Sequence, residues 1–118
     1  MVAVVEERIR TWGSKVVMMI EDSNHLTTTV YTNLELYARF VTDDSFIVVQ
    51  DTKLSRSWYV DANASPAARK AGPSGAIEAF LATERGMDFV VDRRFEYYIS
   101  SEHAAGFLRR TKGGPKSL

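Results

Sequence analysis

The 118-residue chain contains no cysteine. Disulfides, thiolate zinc centres and a cysteine nucleophile are therefore excluded, and a cytoplasmic setting is expected. It lacks net charge: 15 basic and 15 acidic residues cancel. No global field exists to draw in nucleic acid or an anionic membrane, and neither is expected as a partner. Long apolar runs are missing too. The longest, Met1 to Val5 and Val16 to Ile20, fall far short of the ~20 residues a membrane span needs. With Glu6, Glu7, Arg8 and Arg10 near the N-terminus, a signal peptide is not expected there. The seven glycines form neither a G-x-G-x-x-G fingerprint nor a P-loop.

What remains is an ordinary globular composition, 45% hydrophobic and 25% charged, with length enough for one domain and a core. Val5, Ile9 and Trp12 fall on one helical stripe, and Gly13 follows as a stop, so residues 2–12 read as a helix packed on a sheet. Lys15 to Glu21 holds five consecutive apolar residues, too few for a helix. Such a run suits a strand buried on both faces, with Met18 and Met19 filling core gaps. From Leu26 to Val41 the period turns helical, with Val30, Leu34, Tyr37 and Val41 on one face. Phe46 to Gln50 is a second apolar strand. Helix, strand, helix, strand with short links predicts an α/β domain with parallel strands and a right-handed crossover.

Residues 51–74 are irregular and carry Trp58 and Tyr59, which either wall a substrate pocket or pin the loop. A helix is expected from Ser74 or Gly75, stopping at Gly86. Asp88 to Asp92 and Phe95 to Ser100 read as strands joined at Arg93-Arg94, a tight antiparallel hairpin. Gly106 to Arg110 suits a last short strand. Residues 112–118 read as a frayed tail, with Arg109, Arg110, Lys112 and Lys116 as a solvated basic cluster.

Both parallel strands end in acidic residues. In open α/β sheets ligands bind beyond the carboxyl ends of the strands. Asp22, Asp51 and Gln50 offer oxygen donors there, which suit a hard cation such as magnesium. His25 lies about one helical turn from Asp22, and a histidine in that place suits a general base. An alternative stands beside this. Asp22-Ser23-Asn24 is also a helix-capping cluster, and Asp51-Thr52 an ordinary turn. Gly72-Pro73-Ser74-Gly75 either presents N–H groups to an anion or caps the next helix. His103 reads as an exposed loop residue.

The same stretches resemble the cephalosporin hydroxylase family, which includes rhamnosyl and macrolide-sugar O-methyltransferases. Ile20-Glu21-Asp22-Ser23-Asn24-His25 is similar to its LDSNH block, and Leu34-Glu35-Leu36-Tyr37-Ala38 to its next helix. Ser45 to Thr52 resembles its GSYLVVEDT strand. Gly72-Pro73 with Ala76 to Leu81 resembles the following helix, and Phe89 to Asp92 and Gly106 to Arg110 the ending. The resemblance implies an S-adenosylmethionine-dependent O-methyltransferase acting on a sugar or similar hydroxyl. It places the general base on His25 and metal ligands on Asp22, Gln50 and Asp51. The family carries a Glu-Asp pair where this chain has Gln50-Asp51, which makes the site less negative and weakens magnesium binding.

The resemblance also implies that residues 1–118 correspond to the C-terminal half of a Rossmann-like class I methyltransferase sheet. In that reading the chain is a single partial domain: two parallel strands with a crossover helix, then a helix and an antiparallel hairpin. The S-adenosylmethionine-binding half is then absent, and the isolated chain is expected to be inactive. The Lys15–Glu21 strand would become an edge, to be covered by another copy, a partner chain or the N-terminal helix. The alternative function is a non-catalytic dimerisation or docking module derived from the same fold.

Overall fold

The computed structural model describes residues 1–52, 72–96 and 106–111. Helix α1 spans Val2–Trp12 and ends where Gly13 takes φ 62°, a left-handed turn that glycine adopts without a Cβ penalty. The N–H groups of Gly13 and Ser14 close the helix on the carbonyls of Arg10 and Ile9. The strands are β1 (Met19–Glu21), β2 (Phe46–Val49), β3 (Phe89–Val91) and β4 (Phe107–Arg110). Helices α2 (Thr27–Tyr37) and α3 (Pro73–Leu81) lie between them in the chain. A 3₁₀ turn, Ala38–Phe40, extends α2.

The sheet order is β1-β2-β4-β3. β1 and β2 are parallel, with Glu21 level with Val49; β4 runs antiparallel to both β2 and β3. A strand-length crossover by α2 is what parallel neighbours need, since no hairpin can join them. One face of the sheet is sealed by α2 and α3. Val30, Leu34 and Ala38 meet Ala76, Ile77 and Phe80 over Ile47, Val49 and Leu108, all buried. The helical stripe read in residues 26–41 is this contact. Phe80 and Phe89 pack ring to ring, 5.7 Å between centroids.

Several expectations change. β1 is not buried on both faces. Its odd residues turn inward, while Val16, Met18 and Ile20 are 77%, 53% and 59% exposed. Among the described residues β1 pairs only with β2, so it lies at the edge of the described sheet, and a period-2 strand with one neighbour exposes alternate side chains. Met18 therefore fills no core gap. Helix α1 buries none of its residues, and Trp12 is exposed beneath the Arg8 guanidinium rather than packed on the sheet.

The tight hairpin at Arg93-Arg94 is also absent. Residues Arg93–Glu96 form a 3₁₀ turn, and β3 pairs instead with β4. Two-residue hairpins need positive φ at the turn, which Arg-Arg does not favour. Asp92 accepts a hydrogen bond from the Arg94 backbone N–H at 3.1 Å, which folds the chain into a turn there. Residues 97–100, the tail 112–118, His103, Trp58 and Tyr59 lie outside the described residues. Arg109 and Arg110 are no solvated tail: they sit in β4, and Arg110 donates to the carbonyl of Val41 at 2.5 Å.

Past α3 the chain presses back on the helix end. A Cβ on Gly86 would stand 1.9 Å from the Phe80 carbonyl oxygen, a distance no side chain tolerates. Gly86→Ala is therefore expected to lower stability by about 3 kcal/mol, near the upper end of ordinary overpacking costs. A urea titration checks this as a fall in midpoint at constant slope.

Candidate functional site

The parallel register builds the site. Gln50 donates its backbone N–H to the Glu21 carbonyl at 3.0 Å, extending the β1–β2 ladder past its last pair. One step on, Asp22 and Gln50 leave the two strands side by side, about 4.8 Å apart as parallel neighbours must be. Asp51 follows Gln50. Its backbone takes φ 56°, and His25 takes φ 62°. These left-handed turns bring the two side chains back toward each other. His25 Nε2 stands 3.7 Å from Asp51 Oδ2, with the side chains 42% and 31% exposed. Only one other described non-glycine residue, Asp44, has positive φ. Such backbone costs roughly 1 kcal/mol or more and concentrates where a side chain must be aimed.

The polar turn before α2 works differently from the capping alternative. Asn24 Oδ1 accepts from the Leu26 N–H at 3.2 Å, a local turn, while α2 starts without a side-chain cap. Gly72, at φ 81°, gives its N–H to Thr27 Oγ1 at 2.6 Å, and Ser74 gives its hydroxyl to the Thr52 carbonyl at 2.8 Å. The Gly72–Gly75 segment thus ties α3 to α2 and to the end of β2.

A residue missed in the sequence stands beside Asp22. Glu21 is buried, and its Oε1 accepts from Asn33 Nδ2 at 3.0 Å. The signal was available: period-2 alternation places Glu21 on the same face as Met19, toward α2. Glu21, Asp22, Ser23 and Asn33 form the polar end of a cavity of about 360 Å³. Its apolar walls come from α1 (Val5, Ile9), β1 and the end of α2 (Tyr37, Phe40). The Ser23 hydroxyl there is buried without a partner.

Of the expected metal ligands, Asp22, Gln50 and Asp51 share one edge of the sheet. Among the described residues no three His, Cys, Asp or Glu side chains gather as a group suited to a metal ion. The donor set matches magnesium in kind, all oxygen, but only two of its members carry charge.

A second polar cluster lies at the far side of the sheet. Asp92 is almost buried and receives Arg94 Nε at 2.9 Å and Nη2 at 2.5 Å, with Arg109 Nε at 3.4 Å. The Arg94 hydrogen bonds hold its carboxyl down to about 2 from 3.8, against burial, which pushes it up. Arg110 reaches Asp88 at 3.4 Å.

The chain is thus an α/β domain with a histidine, carboxylates and an amide gathered at the carboxyl edge of a parallel strand pair. A sequence model for the family described as rhamnosyl O-methyltransferase/CmcI matches residues 1–111, and the chain belongs to that family. The family is of the S-adenosylmethionine-dependent methyltransferase type, as the resemblance implied. No curated protein and no solved structure matches the chain. Among the described residues no helix is long and apolar enough to cross a membrane.

Two measurements follow from this geometry. His25→Gly and His25→Ala both remove the imidazole, but only glycine accepts φ 62° freely. The glycine variant is expected to be about 1 kcal/mol more stable, read from thermal unfolding. Asp92, with its folded value depressed, adds stability that is complete above 3.8 and is lost as pH falls toward about 2. Urea midpoints across that window should fall more steeply for the wild type than for Asp92→Asn.

Proposed function

We propose that this chain supplies the acceptor edge of an O-methyltransferase, with His25 as general base toward a sugar or similar small hydroxyl. The observation that carries the reading is the approach of His25 to Asp51, each on left-handed backbone at adjoining strand ends. The Asp51 carboxylate, 3.7 Å from one imidazole nitrogen, would orient the ring, and the other nitrogen takes the acceptor proton as the hydroxyl oxygen forms its bond to the methyl carbon. S-adenosylmethionine, the methyl donor of this family, would when bound supply the electrophilic methyl and retain the electron pair of the broken S–C bond. Asp22, Gln50 and Asp51 would hold a magnesium ion, which when bound polarises the acceptor oxygen. Gln50 leaves that ion weakly held. Trp58 and Tyr59, outside the described residues, are the proposed substrate contacts.

No glycine-rich cofactor loop occurs in residues 1–118. The isolated chain is therefore expected to bind acceptor but not S-adenosylmethionine, and to transfer no methyl group alone. The exposed β1 edge favours a second reading, a dimerisation or partner-docking module kept from the same fold.

Calorimetry with methyl rhamnoside, magnesium chloride and S-adenosylmethionine in turn tests the first reading. A weak heat is expected for the glycoside, with affinity falling about tenfold in His25→Ala, the worth of one good hydrogen bond. Magnesium should bind weakly and lose its heat in Asp51→Ala. Tight binding of S-adenosylmethionine by the wild-type chain would overturn the reading that residues 1–118 carry the acceptor edge alone.

A further inference from the structure

The cavity between α1 and β1 has apolar walls, but its polar end is acidic. Glu21 is 4% exposed, and its carboxylate receives one hydrogen bond, from the neutral Asn33 amide at 3.0 Å. Among the described residues no ion pair forms at Glu21. No lysine, arginine or histidine stands among the described residues that line the cavity, and Asp22 adds a second carboxylate there. A carboxylate this deeply buried normally faces a cation, because one amide donor replaces little of the hydration that two oxygens lose.

Glu21 also ties β1 to α2 through Asn33, and that tie fixes the strand. It does not account for the charge. Asn33 needs only an acceptor, which a glutamine would offer equally well. The remaining polar groups at this end share the same character. Asn33 gives its amide N–H to Glu21 and keeps its amide oxygen as an acceptor. The Ser23 hydroxyl is buried without a partner. Glu21, Asn33 and Ser23 can therefore accept three hydrogen bonds between them. A primary ammonium group has three N–H donors, one positive charge and no acceptor.

The rest of the cavity selects the body of such a ligand. Val5 and Ile9 stand on the α1 side, and Tyr37 and Phe40 at the end of α2, with ring centroids 6.5 Å apart and planes tilted by 40°. A cavity of roughly 150 Å³ holds one benzene ring. The 360 Å³ here has room for a ring and a short chain. A divalent metal ion suits the place poorly, since the apolar walls give it no further oxygen.

We propose that this cavity binds a small organic amine, with a ring-sized apolar body between α1 and the end of α2 and its ammonium group at Glu21, Asn33 and Ser23. A neutral alcohol of the same shape forfeits the charge, and a carboxylate is repelled by Glu21 and Asp22. The site is distinct from the His25–Asp51 pair, neither of which lines the cavity. It does not rest on the methyl-transfer reading, and its readout is binding and not turnover.

Calorimetry of the full chain at neutral pH with phenethylamine, phenethyl alcohol and phenylacetate tests this. Phenethylamine should bind about tenfold tighter than the alcohol, the size of one charge-assisted hydrogen bond, and phenylacetate should give no heat. Glu21→Gln keeps the size of the side chain and an acceptor for Asn33, so its circular dichroism spectrum should match the wild type. Its affinity for the amine should fall to that for the alcohol, which should not change. Val5→Trp fills the apolar end from α1, a helix with no buried residue, and should abolish binding of both compounds. No heat with phenethylamine, or equal affinity for amine and alcohol in the wild type, overturns the proposal. So does an undiminished amine affinity in Glu21→Gln. Amine binding that survives Val5→Trp also overturns it, because the ammonium group then sits on carboxylates outside the cavity. That last measurement decides the matter even if Glu21→Gln does not fold.

Discussion

The register of β1 on β2 is the constraint on which the rest depends. With Glu21 level with Val49, three things are settled together. Glu21 turns inward to Asn33, Asp22 and Gln50 leave the sheet side by side, and Asp51 comes within reach of His25. A slip of one residue would reverse every β1 side chain, sending Glu21 to the open face and Met18 and Ile20 into α2. The buried contact of Glu21 with Asn33 and the Val17–Thr42 bonds resist that slip from both ends of the strand. Packing of α2 over Ile47 and Val49 then holds β2 in turn.

Much of this was legible in the chain's periodicities. Val30, Leu34 and Val41 at helical spacing are buried, and the apolar runs before Glu21 and Gln50 are adjacent parallel strands. What periodicity alone misjudged was the number of neighbours. An apolar run looks the same whether one or two strands flank it, so the exposure of Met18 and Ile20 was hidden. The turn at Arg93 was misread because two polar residues between apolar ones look like a hairpin. Only the Asp92 side chain, folding onto the Arg94 N–H, decides for a 3₁₀ turn.

The site was legible in composition and order, but not in geometry. Asp22, His25, Gln50 and Asp51 were all candidates from the sequence. That His25 would meet Asp51 rather than Asp22 depends on two left-handed residues, and no propensity scale reports which aspartate or histidine will adopt that conformation. Arg109 and Arg110 show the same limit from the other side. In sequence they join a basic ending; in space each finds an aspartate brought near by β3 or the loop before β2.

The three-residue length of β1 carries a kinetic meaning. A strand with one partner and so few ladder bonds opens at a lower free energy than the layer formed by β2, β4 and the two helices. Asp22 and His25 hang from that strand and the turn after it, whereas Gln50 and Asp51 hang from β2. The two halves of the polar edge therefore belong to units of different local stability. Local opening of β1 thus parts the two halves of the polar edge at a lower free energy than unfolding of the core requires.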